Sequence, residues 1–114
     1  MKKFIILYQS PADAIEQSAQ LSPEQQAKGM EAWMHWAEKC GDKLIDLGSP
    51  LMPGHALNAK GAVNNSMNTI SGYSILQAES SDELMNLLEG HPHLNWNSEA
   101  SIEIHEAMSM PVLN

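Results

Sequence analysis

The chain contains no arginine, one cysteine, one phenylalanine and no long apolar run. Each absence excludes something. Without arginine there is no planar guanidinium fork, the group best shaped to hold a phosphate or carboxylate at two points. Lysines number six against 14 acidic residues, giving a net charge of −8 and a pI of about 4.9. Such a balance lacks the clustered positive charge that a nucleic-acid backbone requires, so nucleic acid is excluded as a partner. With Cys40 alone no intramolecular disulfide can form, which fits a reducing, cytoplasmic compartment. No stretch reaches the roughly 18 apolar residues of a membrane span. The opening Met1-Lys2-Lys3, followed by Phe4-Ile5-Ile6-Leu7-Tyr8, has the outline of a signal peptide. Its apolar run is too short, and Gln9, Ser10 and Asp13 follow at once. A glycine-rich phosphate loop, a nucleophile elbow and a Walker sequence are also missing.

What is present reads as one domain over residues 1–114. A chain of 114 residues with 43% apolar content can bury roughly two thirds of its unfolded surface and needs neither metal nor disulfide. Phe4 to Tyr8 is a continuous apolar run that predicts a central strand. Ser10-Pro11 ends it. Ser22-Pro23-Glu24-Gln25 predicts a helix start: Ser22 caps, Pro23 suits the first helical position, and Gln25 completes a capping box. Ala27, Met30, Trp33, Met34 and Ala37 recur at helical spacing, Trp36 and Cys40 widen the stripe, and Gly41 closes the helix.

Lys43 to Leu47 predicts a second strand, broken or bulged at Gly48-Ser49-Pro50. Met52 to Met67 is a long excursion marked by Pro53, Gly54, Asn58 and Gly61, with Ala62-Val63 as a short extra strand inside it. Thr69 to Glu79 predicts the third main strand. Ser80 and Glu83 form a second capping box, opening a helix that Gly90 and Pro92 stop. His93 to Ala100 reads as a loop, and Ser101 to Ala107 as the fourth strand. The order β-α-β-loop-β-α-β specifies an α+β, ferredoxin-like βαββαβ domain: a four-stranded antiparallel sheet with two helices on one face. Apolar residues remain for the other face, which a second copy stacked sheet to sheet would cover.

The residues also resemble a known group. Lys3 to Tyr8, Gly41 followed by Leu47-Gly48-Ser49-Pro50-Leu51, Gly72 to Ser80, Gly90-His91-Pro92-His93 and Ile102-Glu103-Ile104 together resemble the YCII-related proteins and their DGPF-type relatives. The resemblance runs over nearly the whole chain. It implies a dimeric α/β barrel, a homodimer of ferredoxin-like protomers. The YCII pattern places a His on the first helix and an Asp after the second strand. Here those positions fall near Met30 and near Gly54 or His55, and the DGPF tetrapeptide is replaced by Asn64-Asn65-Ser66-Met67-Asn68. His91-Pro92 and Glu103 match the relatives.

The candidate chemistry lies in three places. His91-Pro92-His93 brings two imidazoles together, with His55 from the long excursion as a further group. They line a pocket, or they hold a metal, or His91 simply suits the negative end of a helix. Glu103 and His105 share one face of the last strand, either as an acid–base pair in a barrel cavity or as an ordinary polar strand face. Trp36 and Tyr73 wall or point into the same cavity, or they pack. The catalytic candidates are therefore His91, His105 and Glu103. The substrate-binding candidates are Tyr73, Trp36, His55 and His93. No cofactor or metal is assigned. Two functions compete: an enzyme acting on a small organic ligand without a cofactor, and a non-catalytic ligand-binding or interaction module.

Overall fold

The computed structural model describes residues 1–11, 20–66 and 69–110. Their order is β1 (Lys2–Gln9), α1 (Pro23–Cys40), β2 (Leu44–Asp46), β3 (His55–Leu57), β4 (Val63–Asn65), β5 (Ile70–Ala78), α2 (Ser81–Leu88), α3 (Pro92–Trp96) and β6 (Ser101–Glu106). One sheet runs in the order β2-β5-β1-β6, with each neighbouring pair antiparallel. This is the ferredoxin-like order. β3 and β4 form a separate hairpin inserted between β2 and β5. Among the described residues no helix is long and apolar enough to cross a membrane.

Strand alternation decides what each sheet face does. On β1, Phe4, Ile6 and Tyr8 are buried, as is Ser10 just past its end, while Ile5, Leu7 and Gln9 are half-buried on the opposite face. Register carries the pattern to β5: Phe4 pairs with Leu76, Ile6 with Ser74 and Tyr8 with Gly72, and these partners are buried too. Trp36 and Cys40 of α1 and Leu84 and Leu88 of α2 close over that face. Fully burying a side chain such as Leu76 or Leu84 contributes about 1.5–3 kcal/mol. Both helices therefore lie on one side, and the other side of the sheet is open.

α1 begins as predicted. The Gln25 N–H donates to Ser22 Oγ at 3.2 Å and the Ser22 N–H to Gln25 Oε1 at 3.0 Å. Only the C-terminal half of this helix docks. Every residue from Leu21 to Ala32 is exposed, and Met30 and Met34 of the expected stripe are 54% and 48% exposed. The docked half is tied to α2. The indole N–H of Trp36 donates to the Leu87 carbonyl at 2.9 Å, and Lys39 Nζ donates to those of Asn86 and Glu89 at 3.2 and 3.1 Å. These are carbonyls near the end of a helix that would otherwise need water.

Gly48 has φ +79°, and a Cβ there would sit 1.7 Å from the Tyr73 carbonyl oxygen. The chain bulges at this point and then rejoins β5, with the Leu51 N–H donating to the Ser71 carbonyl at 2.9 Å. The β3–β4 hairpin follows. Its turn is built by Asn58, whose Oδ1 accepts the N–H groups of Lys60 and Ala62, each at 2.9 Å. Sequence reading allowed only one short strand in this excursion, because three residues between Pro53 and Gly61 and three after Gly61 carry no long alternating pattern. A second difference is α3, where a loop was expected. Pro92 stops α2 but suits the first turn of a new helix, and His91 Nδ1 accepts the His93 N–H at 2.9 Å as its cap.

Candidate functional site

The sequence-derived candidates separate into three locations. His91, His93 and Trp36 lie inside, between sheet and helices. Glu103, His105 and Tyr73 lie on the open face of the sheet. His55 lies on the β3–β4 hairpin. The structure thus brings His91 together with His93, and Glu103 with His105, but puts the two pairs on opposite sides of the sheet.

The inner group is a closed network. His91 has no exposed surface. Its Nδ1 accepts a backbone N–H, so in the neutral ring Nε2 carries the proton and faces the Tyr8 hydroxyl at 3.2 Å. The Tyr8 hydroxyl donates to Ser74 Oγ at 2.8 Å, and the Ser74 hydroxyl donates to the Leu47 carbonyl at 2.6 Å. Every donor has one acceptor, and the chain of bonds ends on backbone. Aromatic edges seal it. Trp33 lies 4.6 Å from His91 and 4.9 Å from Tyr8, centroid to centroid, and Trp36 lies 4.3 Å from His91.

Burial, with His93 adding a smaller push, lowers the His91 imidazole to about 3. Burial also lowers His93, partly offset by its ring N–H bonding to the carbonyls of Gln9 and Ser101 at 2.9 and 3.1 Å. Burial raises the Tyr8 phenol well above its ordinary value, against a smaller opposing effect of the Ser74 hydrogen bond. Both imidazoles are therefore neutral at neutral pH. His93 pins β1 to β6, and His91 holds Tyr8. In the single chain neither reaches solvent to any useful extent. Sequence reading missed Tyr8, Ser74 and Trp33 as partners of His91. The available signal was that alternate residues of β1 and β5 share a face.

Cys40 is buried as the C-terminal packing residue of α1, and burial raises its thiol despite nearby Lys39. Among the described residues no three His, Cys, Asp or Glu side chains gather as a metal ion would need. His55 does not converge with His91 and His93, because those two are enclosed in the core.

The open face is built differently. On β6, Ile102 and Ile104 turn toward the helices and pack on the core, so Glu103 and His105 turn away. His105 Nε2 lies 2.5 Å from Glu103 Oε1. A carboxylate oxygen only accepts, so Nε2 carries the proton in this contact. Across β1 the register sets Leu7 between Glu103 and Tyr73, and Ile5 between His105 and Ile75. At the far side, the Tyr73 hydroxyl lies 3.4 Å from Asp46 Oδ2. The open face thus has an apolar middle and a polar pair at each flank. A third feature is a shallow groove of about 490 Å³ between α1 and α3, lined by His35, Trp36, Lys39, Pro92, Asn95 and Trp96.

No family model matches the chain. No curated protein matches it significantly. Among solved structures the chain is similar to 5-chloro-2-hydroxyhydroquinone dehydrochlorinase (TftG) from Burkholderia phenoliruptrix AC1100, in complex with 2,5-dihydroxybenzoquinone. The identity is 18%, over 89% of this chain and 90% of that chain, with a TM-score of 0.49.

Proposed function

We propose that the chain is a small-molecule enzyme of the YCII-related type, working by acid–base chemistry at Glu103 and His105 inside a homodimer stacked sheet face to sheet face. One observation carries this reading. The 2.5 Å Glu103–His105 contact stands on a sheet face whose middle is Ile5, Leu7 and Ile75. A carboxylate that fixes the imidazole by its Nε2–H leaves Nδ1 as a base and stabilises the imidazolium that forms when Nδ1 takes a proton. In the lone chain the pair is half exposed, and its electrostatic effect is weak there. Covering by a second copy removes water and strengthens it. Tyr73 stands two strands from Glu103, roughly 9–10 Å at ordinary strand spacing. His105, the base, stands two residues further along β6, level with Ile75, so the substrate lies obliquely over Ile5 and Leu7.

The substrate class that fits is a small organic molecule with an acidified C–H, such as an enolisable carbonyl compound. His105 Nδ1 removes the proton, and the Tyr73 hydroxyl, turning from its long contact with Asp46, donates to the developing oxyanion. The test is deuterium wash-in, followed by proton NMR in D2O, over a panel of enolisable carbonyl compounds. The wild-type chain is expected to exchange at least one of them. Glu103→Gln and His105→Gln are expected to slow that exchange by about 10²–10⁴-fold. Exchange that survives both substitutions, or no exchange with any compound, overturns the reading.

A second reading, a ligand-binding module without catalysis, is favoured by the α1–α3 groove, where Trp96 is 42% exposed beside His35 and Asn95. Binding of aromatic acids lost in Trp96→Ala but kept in Glu103→Gln would select it.

A further inference from the structure

The β3–β4 hairpin is the least supported part of the fold. All six of its strand residues are exposed, and a two-stranded hairpin alone is only marginally stable in water. Its register puts His55 opposite Asn65 and Leu57 opposite Val63. His55, Leu57 and Val63 therefore share one side of the ribbon, with Leu57 71% and Val63 62% exposed. The ribbon thus has a defined apolar side that carries an imidazole and that no described residue of its own chain covers.

Charge points to where it goes. Although the chain has 14 acidic residues, none lies between Leu47 and Ala78, a stretch that includes Lys60 at the hairpin turn and His55. The carboxylates stand elsewhere, Glu103 and Glu106 among them on the edge strand β6. Symmetry supplies the route. β2 and β6 are the two edges of the sheet, and the hairpin leaves the β2 edge just after Leu51 rejoins β5. When two such sheets stack face to face, a two-fold axis parallel to the strands sets each β2 edge against the other copy's β6. An axis across the strands instead sets β2 against β2 and brings Asp46 toward its own copy. In the first arrangement the hairpin with Lys60 meets the partner's β6 edge with Glu103 and Glu106, although Asp46 of β2 faces that strand as well; in the second Asp46 faces Asp46 and Lys60 gains no carboxylate.

We infer that the hairpin is an arm exchanged between two copies of this chain: its His55–Leu57–Val63 side packs over the partner's β6 edge and adds the partner's His55 to the Glu103–His105 pair. This rests on the sheet-to-sheet dimer proposed above. Each site is then incomplete in one chain alone. Exchange of two identical arms closes the assembly, so it stops at two copies.

Sedimentation of the full chain tests the inference alongside carbodiimide coupling in a dimer mixed from ¹⁴N- and ¹⁵N-labelled chains. The double variant Leu57→Asp, Val63→Asp is expected to weaken the dimer at least tenfold while leaving the far-ultraviolet circular dichroism unchanged, because the core does not use these residues. In the wild-type mixture, Lys60 is expected to couple to Glu103 or Glu106 in peptides carrying one light and one heavy half. A dimer of unchanged affinity in the double variant, or Lys60 coupling only within one isotopic species, overturns the arm and leaves the sheet-to-sheet site standing. A wild-type chain that stays monomeric overturns both. Loss of deuterium exchange in Glu103→Gln with the arm coupling intact concerns the catalytic reading alone.

Discussion

At the scale of residues, His91 repays most attention because its chemistry and its position disagree with its sequence context. A His-Pro-His run suggests ligation or catalysis, yet both imidazoles are held neutral in the core. Their titration makes a prediction. Unfolded, each imidazole takes up a proton near its ordinary value of 6.5; folded, His91 does so only at about 3, and His93 is displaced in the same direction. Between those limits the unfolded chain binds more protons than the folded one, so stability must fall as pH drops through 6.5 toward 3. One net proton corresponds to about 1.4 kcal/mol per pH unit. Urea unfolding at pH 7, 6 and 5 is expected to show this decline. His91→Gln, whose amide can still accept from the His93 N–H and donate to Tyr8, is expected to remove a large share of the slope. An unchanged slope in that variant would mean His91 is protonated in the fold.

At the scale of elements, the sequence was most legible where local chemistry and burial agree. The Ser22–Gln25 capping box, the strand from Phe4 to Tyr8 and the helix opened by Ser80 stand where the pattern put them. Legibility failed where a residue has two local roles. Pro92 was a stop signal and is also a start signal. The imidazole of His91 is an uncommon cap, so α3 carried no recognisable opening. It failed again in α1, where the spacing of Ala27 and Met30 announces an apolar face without saying whether this chain or another covers it.

The bulge at Gly48 gives the clearest prediction of this scale. An Ala there would need φ near +79° with its Cβ 1.7 Å from a backbone oxygen, and backbone cannot step aside as a side chain can. Gly48→Ala is expected to cost about 4 kcal/mol or more in urea unfolding. Gly61→Ala shares a positive φ of 85° but meets nothing within 4 Å. It is expected to cost only about 1–2 kcal/mol, confined to the hairpin turn. Equal effects at the two sites would mean that conformation alone, and not the approach to β5, sets the requirement at Gly48.

At the scale of the whole molecule, the two sheet faces have unequal lives. The helix-covered face contains a completed hydrogen-bond network and a closed aromatic box, and nothing more needs to be added to it. The other face carries Ile5, Leu7, Tyr73 and Ile75 only half covered, and the hairpin and the first turns of α1 stand away from the core. The proposed sheet-to-sheet dimer covers this apolar surface, and association has a thermodynamic signature that no monomer shows. When folded protomers pair and unfolded ones do not, stability rises with protein concentration. Each tenfold increase adds about 1.4 kcal/mol per dimer, half of that per chain, and so raises the thermal midpoint by about 3–5 °C for a domain of this size. Calorimetric scans at 2, 20 and 200 micromolar, roughly tenfold apart, are expected to show that climb in two equal steps. The Leu57→Asp, Val63→Asp variant, whose changes lie outside the core, is expected to lose most of it while keeping the midpoint of the most dilute sample. A midpoint independent of concentration would mean that the open face is tolerated by a lone chain, and the acid–base pair on it would then remain half exposed and weak.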